Sequence, residues 1–162
     1  EQLPTVTTPL SVLRDSDFMP FARLSGLPYG MTAHIRYTAI DADEPATLSP
    51  KVIQLIRDEI GFHGLLMTDD LSMKALSGDM GSLARQSLAA GCDLILHCNG
   101  DFTEMEKVAS GLPEQAVPQT LVAMNMAWSR LSNTASDASQ EFAELSIKYN
   151  EMSAGVPTLA VA

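Results

Sequence analysis

Gly64-Leu65-Leu66-Met67-Thr68-Asp69-Asp70-Leu71-Ser72 is the stretch on which the reading of this chain turns. An apolar run of strand length follows a turn glycine and ends in two acids. Two other runs share its form: Gly30-Met31-Thr32-Ala33-His34-Ile35 and Cys92-Asp93-Leu94-Ile95-Leu96-His97. Runs that are apolar on both faces suit buried strands of a parallel sheet. Their polar ends, His34, Asp69 and His97, lie 35 and 28 residues apart, the spacing of βα units joined by right-handed crossovers. The pattern predicts an α/β fold with the order β-α-β-α-β-α.

The connecting segments read as helices. Ser49 is a good N-cap, Pro50 suits the first helical position, and Val52, Ile53, Leu55, Ile56 and Ile60 make one apolar face. Gly61 is placed to end that helix in a left-handed conformation. A second helix turns Leu83, Ala84, Leu88 and Ala89 inward and stops at Gly91, and Asp101 or Thr103 caps a third through Met105, Val108 and Ala109. Residues 9–25 read as one or two helices feeding the first strand. Beyond Pro113 and Pro118, Leu121, Met124, Ala127, Trp128 and Leu131 recur at helical spacing; a last helix, Phe142 to Tyr149, precedes a loose tail, Ser153 to Ala162.

Charge and cysteine content narrow the function classes. Twenty acids against 10 Lys and Arg leave a net charge of −10, which argues against a general binder of nucleic acid or anionic membrane. No apolar run approaches the roughly 20 residues that cross a bilayer, and no secretory signal pattern is visible. Cys92 and Cys98 bracket a strand, about 20 Å apart if it is extended, beyond disulfide reach, and read as buried thiols of a reducing compartment. The nine methionines read as core filler, and the charges from Asp41 to Glu44 as a solvated loop. The chain begins at Glu1, which leaves open a processed product or a piece of something longer.

Ligands and chemistry gather at the carboxyl edge of parallel sheets. Side chains alternate along a strand, so Leu65, Met67 and Asp69 share one face and Leu66, Thr68 and Asp70 the other. The two acids therefore have different jobs: one faces a barrel mouth or crevice, while the other faces the helix layer or caps the turn Leu71-Ser72-Met73. Asp70 reads as the turn former. Thr32 and His34 share a face, and His34 is open between a structural role and a site role. His97, before Cys98-Asn99-Gly100, reads as a turn lead-in, and His63 as a loop residue at the opposite edge. A metal reading would gather His34, Asp69, Asp70 and His97, but no tight ligand spacing such as His-x-x-x-His supports it. No phosphate-binding loop and no nucleophile elbow is present. What remains is a carboxylate at a strand end with uncharged neighbours on its own strand, which suits a nucleophile or electrostatic stabiliser.

Leu55-Ile56-Arg57-Asp58-Glu59, followed after four residues by Gly64 to Asp69 and then Asp70-Leu71-Ser72, resembles the active-site signature of family 3 glycoside hydrolases. Met31-Thr32-Ala33-His34, Pro45-Ala46-Thr47-Leu48-Ser49-Pro50, Thr68 to Lys74 and Leu96-His97-Cys98-Asn99-Gly100 are similar to the bacterial β-N-acetylglucosaminidase branch. The likeness covers about residues 3–131. It implies that Asp69 is the catalytic nucleophile, with His34 against the sugar subsite and no metal or organic cofactor. It implies the C-terminal portion of a (β/α)₈ barrel, the last three strands over residues 1–133, with a C-terminal helix and tail over 134–162. The branch's acid/base loop, a Lys-His-x-Pro-Gly-His-Gly stretch with an Asp-Ser-His, and its main sugar-binding residues belong to the part upstream. The expected partners are therefore the N-terminal half of the same barrel and a GlcNAc-containing muropeptide, with no nucleic acid and no membrane. The implied activity is a retaining exo-β-N-acetylglucosaminidase of cytoplasmic cell-wall recycling, inactive as this chain alone. Two other readings stand beside it: a metal-dependent barrel hydrolase using His34, Asp69 and His97, and an inactive fragment that only pairs with its N-terminal half.

Overall fold

The computed structural model describes residues 3–114, 120–122, 124–126, 128 and 129. Its named elements fall within the first of two compact units, Glu1–Ala127 and Trp128–Ala162. In chain order they are β1 (Thr5–Val6), α1 (Leu10–Asp15), α2 (Met19–Arg23), β2 (Tyr29–Met31), β3 (Arg36–Tyr37), a 3₁₀ turn (Ala46–Leu48), α3 (Pro50–Asp58), β4 (Leu65–Met67), α4 (Met80–Ala90) and α5 (Phe102–Ser110). The fold is α/β with parallel pairing, as the run spacing predicts. β2 pairs with β4 in the register Tyr29↔Leu65, Gly30↔Leu66 and Met31↔Met67. A parallel bridge from Met67 to Leu94 adds the third run on the far side of β4.

The strands are shorter than expected, and two were not anticipated. β2 stops at Met31 rather than Ile35, and the chain then turns so that β3 pairs with β1, Thr5↔Arg36 and Val6↔Tyr37. The third run makes a single bridge instead of a strand. Side chains cause the shortening. Thr68 N–H still reaches the Leu94 carbonyl at 3.0 Å, but Leu96 N–H then goes to the Thr68 hydroxyl at 2.9 Å, where a continued ladder would use the Thr68 carbonyl.

The helix punctuation is as the sequence indicates at Ser49, Gly61, Gly91 and Asp101, and α4 has in addition an N-cap at Asp79 that the sequence reading did not name. Ser49 Oγ accepts from Val52 N–H at 3.2 Å, Asp79 caps α4 through Ser82 N–H, and Asp101 caps α5 through the amides of Thr103 and Glu104. Gly61 and Gly91 have φ of +75° and +112°, so both turn in the left-handed region that favours glycine. The buried face of α4 is shifted from the expected one: Ser87 and Ala90 are buried, Leu88 is half-buried and Ala89 exposed. Ser87 tolerates burial because its hydroxyl donates to the Leu83 carbonyl at 2.9 Å.

Two apolar clusters hold these elements. Ile53, Phe62, Leu66, Ala90 and Cys92 join α3 and the end of α4 to β4. Leu71, Leu83, Ala84 and Val108 join α4 and α5 to the loop after β4. Each large aliphatic side chain buried there contributes about 1.5–3 kcal/mol. Arg57 ties the end of α3 to the sheet. Its guanidinium donates to the carbonyls of Phe62 and Gly64 and to Asp93 Oδ2, which also accepts Leu66 N–H.

Several expectations are corrected. Asp41 is buried, not solvated: its carboxylate accepts from Ser49 Oγ at 2.7 Å and from the amides of Asp43 and Glu44. Met19, Met31, Met73, Met105, Met124 and Met126 are exposed rather than core filler. Cys92 is a buried free thiol, pushed up to about 12 first by burial, whereas Cys98 is exposed. The helix read over Leu121 to Leu131 is helical at 120–122, 124–126, 128 and 129. The expected boundary after residue 133, the helix Phe142 to Tyr149 and the tail lie outside the described residues.

Candidate active site

At the carboxyl end of β4 the main chain leaves the regular ladder on both flanks. Thr32 N–H donates to the Met67 carbonyl at 2.9 Å, the last ordinary bond between β2 and β4. The next amide, that of Asp69, reaches Thr32 Oγ1 at 3.3 Å, where a continued ladder would use the Thr32 carbonyl. On the other flank the Thr68 hydroxyl takes Leu96 N–H, and Leu71 N–H, not that of Asp70, meets the Leu96 carbonyl at 3.0 Å. Asp69 and Asp70 thus sit on a segment detached from the sheet by threonine hydroxyls.

The two acids have different partners. Asp70 closes the turn: Oδ1 accepts Ser72 N–H at 3.0 Å and Cys98 N–H at 3.0 Å, and the Ser72 hydroxyl reaches both carboxylate oxygens. Burial works to raise the Asp70 pKa, but the Ser72 hydroxyl and amide, the Cys98 amide and nearby His97 outweigh it and hold it below the ordinary carboxylate value. Asp69 is half-buried; its Oδ1 accepts Asp70 N–H at 2.9 Å, and its Oδ2 has no hydrogen-bond partner among the described residues. Alternation along β4 gives Leu65 and Met67 a common face. The register places Tyr29 and Met31 beside these two, and Met31 is 54% exposed.

His34 is not open to a ligand. Its ring is buried, with Nδ1 2.9 Å from Thr47 Oγ1 and Nε2 2.9 Å from the Asp70 carbonyl. Thr47 Oγ1 in turn lies 2.9 Å from Thr32 Oγ1. His97 is buried apart from it, with Nε2 3.3 Å from Glu104 and Nδ1 without a hydrogen-bond partner among the described residues. Among the described residues no three His, Cys, Asp or Glu side chains are grouped as ion ligands, so His34, Asp69 and His97 do not form the set that the metal reading requires. His63 is an exposed loop residue, as expected. Thr32, Thr47 and Thr68 were not anticipated as site residues. The sequence signals were the two-residue spacings of Thr32 with His34 and of Thr68 with Asp70, which put each pair on a common face.

Residues 1–132 match the family model described as the glycosyl hydrolase family 3 N terminal domain. A beta-hexosaminidase of Alkalilimnicola ehrlichii is 43% identical over 103 residues, covering 60% of this chain and 29% of that protein. One from Pseudomonas aeruginosa is 42% identical over 101 residues, covering 60% and 30%. The chain thus spans less than a third of the length of these curated relatives. A family 3 β-N-acetylglucosaminidase structure from Paenibacillus superposes with a TM-score of 0.69 at 29% identity, covering 83% of this chain and 28% of that one. The match is too long, and too similar to several relatives, for shared architecture alone: this chain belongs to the glycosyl hydrolase family 3 N-terminal domain family.

Proposed function

We propose that this chain supplies the nucleophile-bearing part of a retaining exo-β-N-acetylglucosaminidase, with Asp69 as the nucleophile. The observation that carries the reading is the carboxylate of Asp69, held by its neighbour's amide through one oxygen while the other is unengaged among the described residues. The names of the relatives, beta-hexosaminidase and β-N-acetylglucosaminidase, support the activity. A carboxylate oxygen of Asp69 attacks the anomeric carbon as the bond to the leaving oxygen breaks. The leaving oxygen takes a proton from an acid/base residue outside this chain. Water, deprotonated by that same residue, then attacks the anomeric carbon and frees the aspartate.

In this reading the chain is the C-terminal portion of a (β/α)₈ barrel, contributing the last three strands. The exposed apolar surface of Tyr29 and Met31 supports it, because that face needs a cover that further barrel strands would provide. The N-terminal half of the barrel is the partner that completes the site. The substrate is a muropeptide with a terminal β-1,4-linked GlcNAc, and the setting is cell-wall recycling in the cytoplasm. The test is to incubate the complete hydrolase with a fluorinated GlcNAc donor that traps the covalent intermediate, and to map the adduct by peptide mass. A glycosyl adduct on Asp69 is expected; an adduct on another carboxylate, or turnover with inversion, overturns the reading.

A further inference from the structure

A ring of hydrogen bonds surrounds the two-residue segment that carries the proposed nucleophile, and its largest member is the buried ring of His34. The Asp70 carbonyl can only accept, so the proton at the 2.9 Å contact belongs to His34 Nε2. In a neutral ring Nδ1 is then an acceptor, and the hydroxyl 2.9 Å away on Thr47 donates to it. That hydrogen also has the Ala33 carbonyl within reach at 3.2 Å, but the ring contact is the shorter. With its hydrogen committed, Thr47 Oγ1 accepts from Thr32 Oγ1 at 2.9 Å, and Thr32 Oγ1 accepts Asp69 N–H at 3.3 Å. The chain of bonds runs from the amide of Asp69 to the carbonyl of Asp70. Between those anchored ends the remaining amide, Asp70 N–H, donates to Asp69 Oδ1 and orients the carboxylate.

We propose that His34 is a positioning residue: through the Asp70 carbonyl and the Thr47–Thr32 hydroxyls it clamps both ends of the Asp69–Asp70 segment and aims the Asp69 carboxylate. The proposal rests on the reading of Asp69 as nucleophile. It replaces the expectation that His34 lines the sugar subsite, because both ring nitrogens are spent inside the protein and the ring is buried. A displacement of the attacking oxygen by about 1 Å costs on the order of 10²-fold in rate. A clamp of this kind therefore acts on the chemical step and leaves sugar affinity nearly unchanged.

The test uses the complete hydrolase with His34→Leu, His34→Gln and Thr47→Val, each confirmed as folded and assayed for kcat and KM. His34→Leu is expected to lower kcat by about 10²-fold with KM within about threefold. In His34→Gln the side-chain amide still donates to the Asp70 carbonyl, and it recovers at least about tenfold of that loss. Thr47→Val, close in shape, lowers kcat by about tenfold. A rise in KM with unchanged kcat assigns His34 to sugar binding and overturns the proposal, as does wild-type kcat in a folded His34→Leu. Should His34→Leu fail to fold, the other two variants decide. Nitrogen NMR of the wild-type imidazole is an independent readout: a proton on Nε2 alone is expected, and a proton on Nδ1 contradicts the relay. Asp69→Ala separates the two layers, since retained turnover there defeats the nucleophile reading while the NMR result still judges the clamp.

Discussion

Leu96 N–H donates to the side-chain hydroxyl of Thr68 at 2.9 Å, where a regular parallel sheet would supply the Thr68 carbonyl. Thr68 is fully buried, so its hydroxyl meets this amide on a side chain closed to water. Thr68→Val keeps the shape and removes the acceptor. It is expected to destabilise the protein by about 1–3 kcal/mol, read as a lower urea midpoint at constant slope.

Asp69→Ala removes the proposed nucleophile without disturbing a core contact. Turnover of a chromogenic β-GlcNAc glycoside by the complete hydrolase is expected to fall by roughly 10³-fold or more. The far-ultraviolet circular dichroism and urea midpoint are expected to stay at wild-type values. Residual kcat within about tenfold of wild type would remove Asp69 from the mechanism.

Asp41 links stability to pH. The Ser49 hydroxyl is the main cause of its lowered pKa; burial opposes it, and the amides of Asp43 and Glu44 and the charge of Lys51 add to it. A pKa lower in the folded than in the unfolded state contributes stability that is complete above the unfolded value, about 3.9, and is lost as pH falls through the folded value. Asp41→Ala is expected to cost about 1–3 kcal/mol at pH 7, with the gap to wild type closing in strong acid. Urea unfolding at a series of pH values measures it. A gap that widens towards acid contradicts the assignment.

Arg57 holds two loop carbonyls and Asp93 at once. Lysine is a point charge and cannot make this fork. Arg57→Lys is expected to lower stability by about 1–3 kcal/mol. The local loss is visible as faster amide exchange at Leu66, whose N–H shares Asp93 Oδ2 with the guanidinium.

Gly111 lies against the Gly81 carbonyl, and a Cβ added at Gly81 would come within 2.8 Å of the Lys107 carbonyl. The close approach of α4 and α5 depends on both positions being bare. Gly81→Ala is expected to cost about 1–3 kcal/mol, because the obstructing atom is main chain and cannot rotate away. Thermal unfolding tests this, and a raised Tm would show that the two helices separate freely.

Much of the frame was legible in the residues themselves. The caps at Ser49 and Asp101 and the left-handed Gly61 and Gly91 are local chemistry, set by atoms a few residues apart. The reading of Asp70 as the turn former is local too, since its carboxylate meets Ser72 two residues on. The strand lengths and the role of His34 were not legible. Strands looked longer than they are because apolar runs continue past the point where threonine hydroxyls take over the ladder amides. Asp41 looked solvated because its charge suggested water, and the Ser49 hydroxyl that satisfies it was already counted as a helix cap.

By itself the sequence determined the α/β order, the parallel pairing of the apolar runs, the helix ends and the residues that mark the family. Each of these depends on periodicity or on near neighbours. Only the tertiary structure decided that Thr32, Thr47 and His34 close around Asp69. Those bonds join residues 13, 15, 36 and 37 positions apart. A threonine hydroxyl can serve as donor, acceptor or neither, and its partner is chosen by what packing brings within about 3 Å.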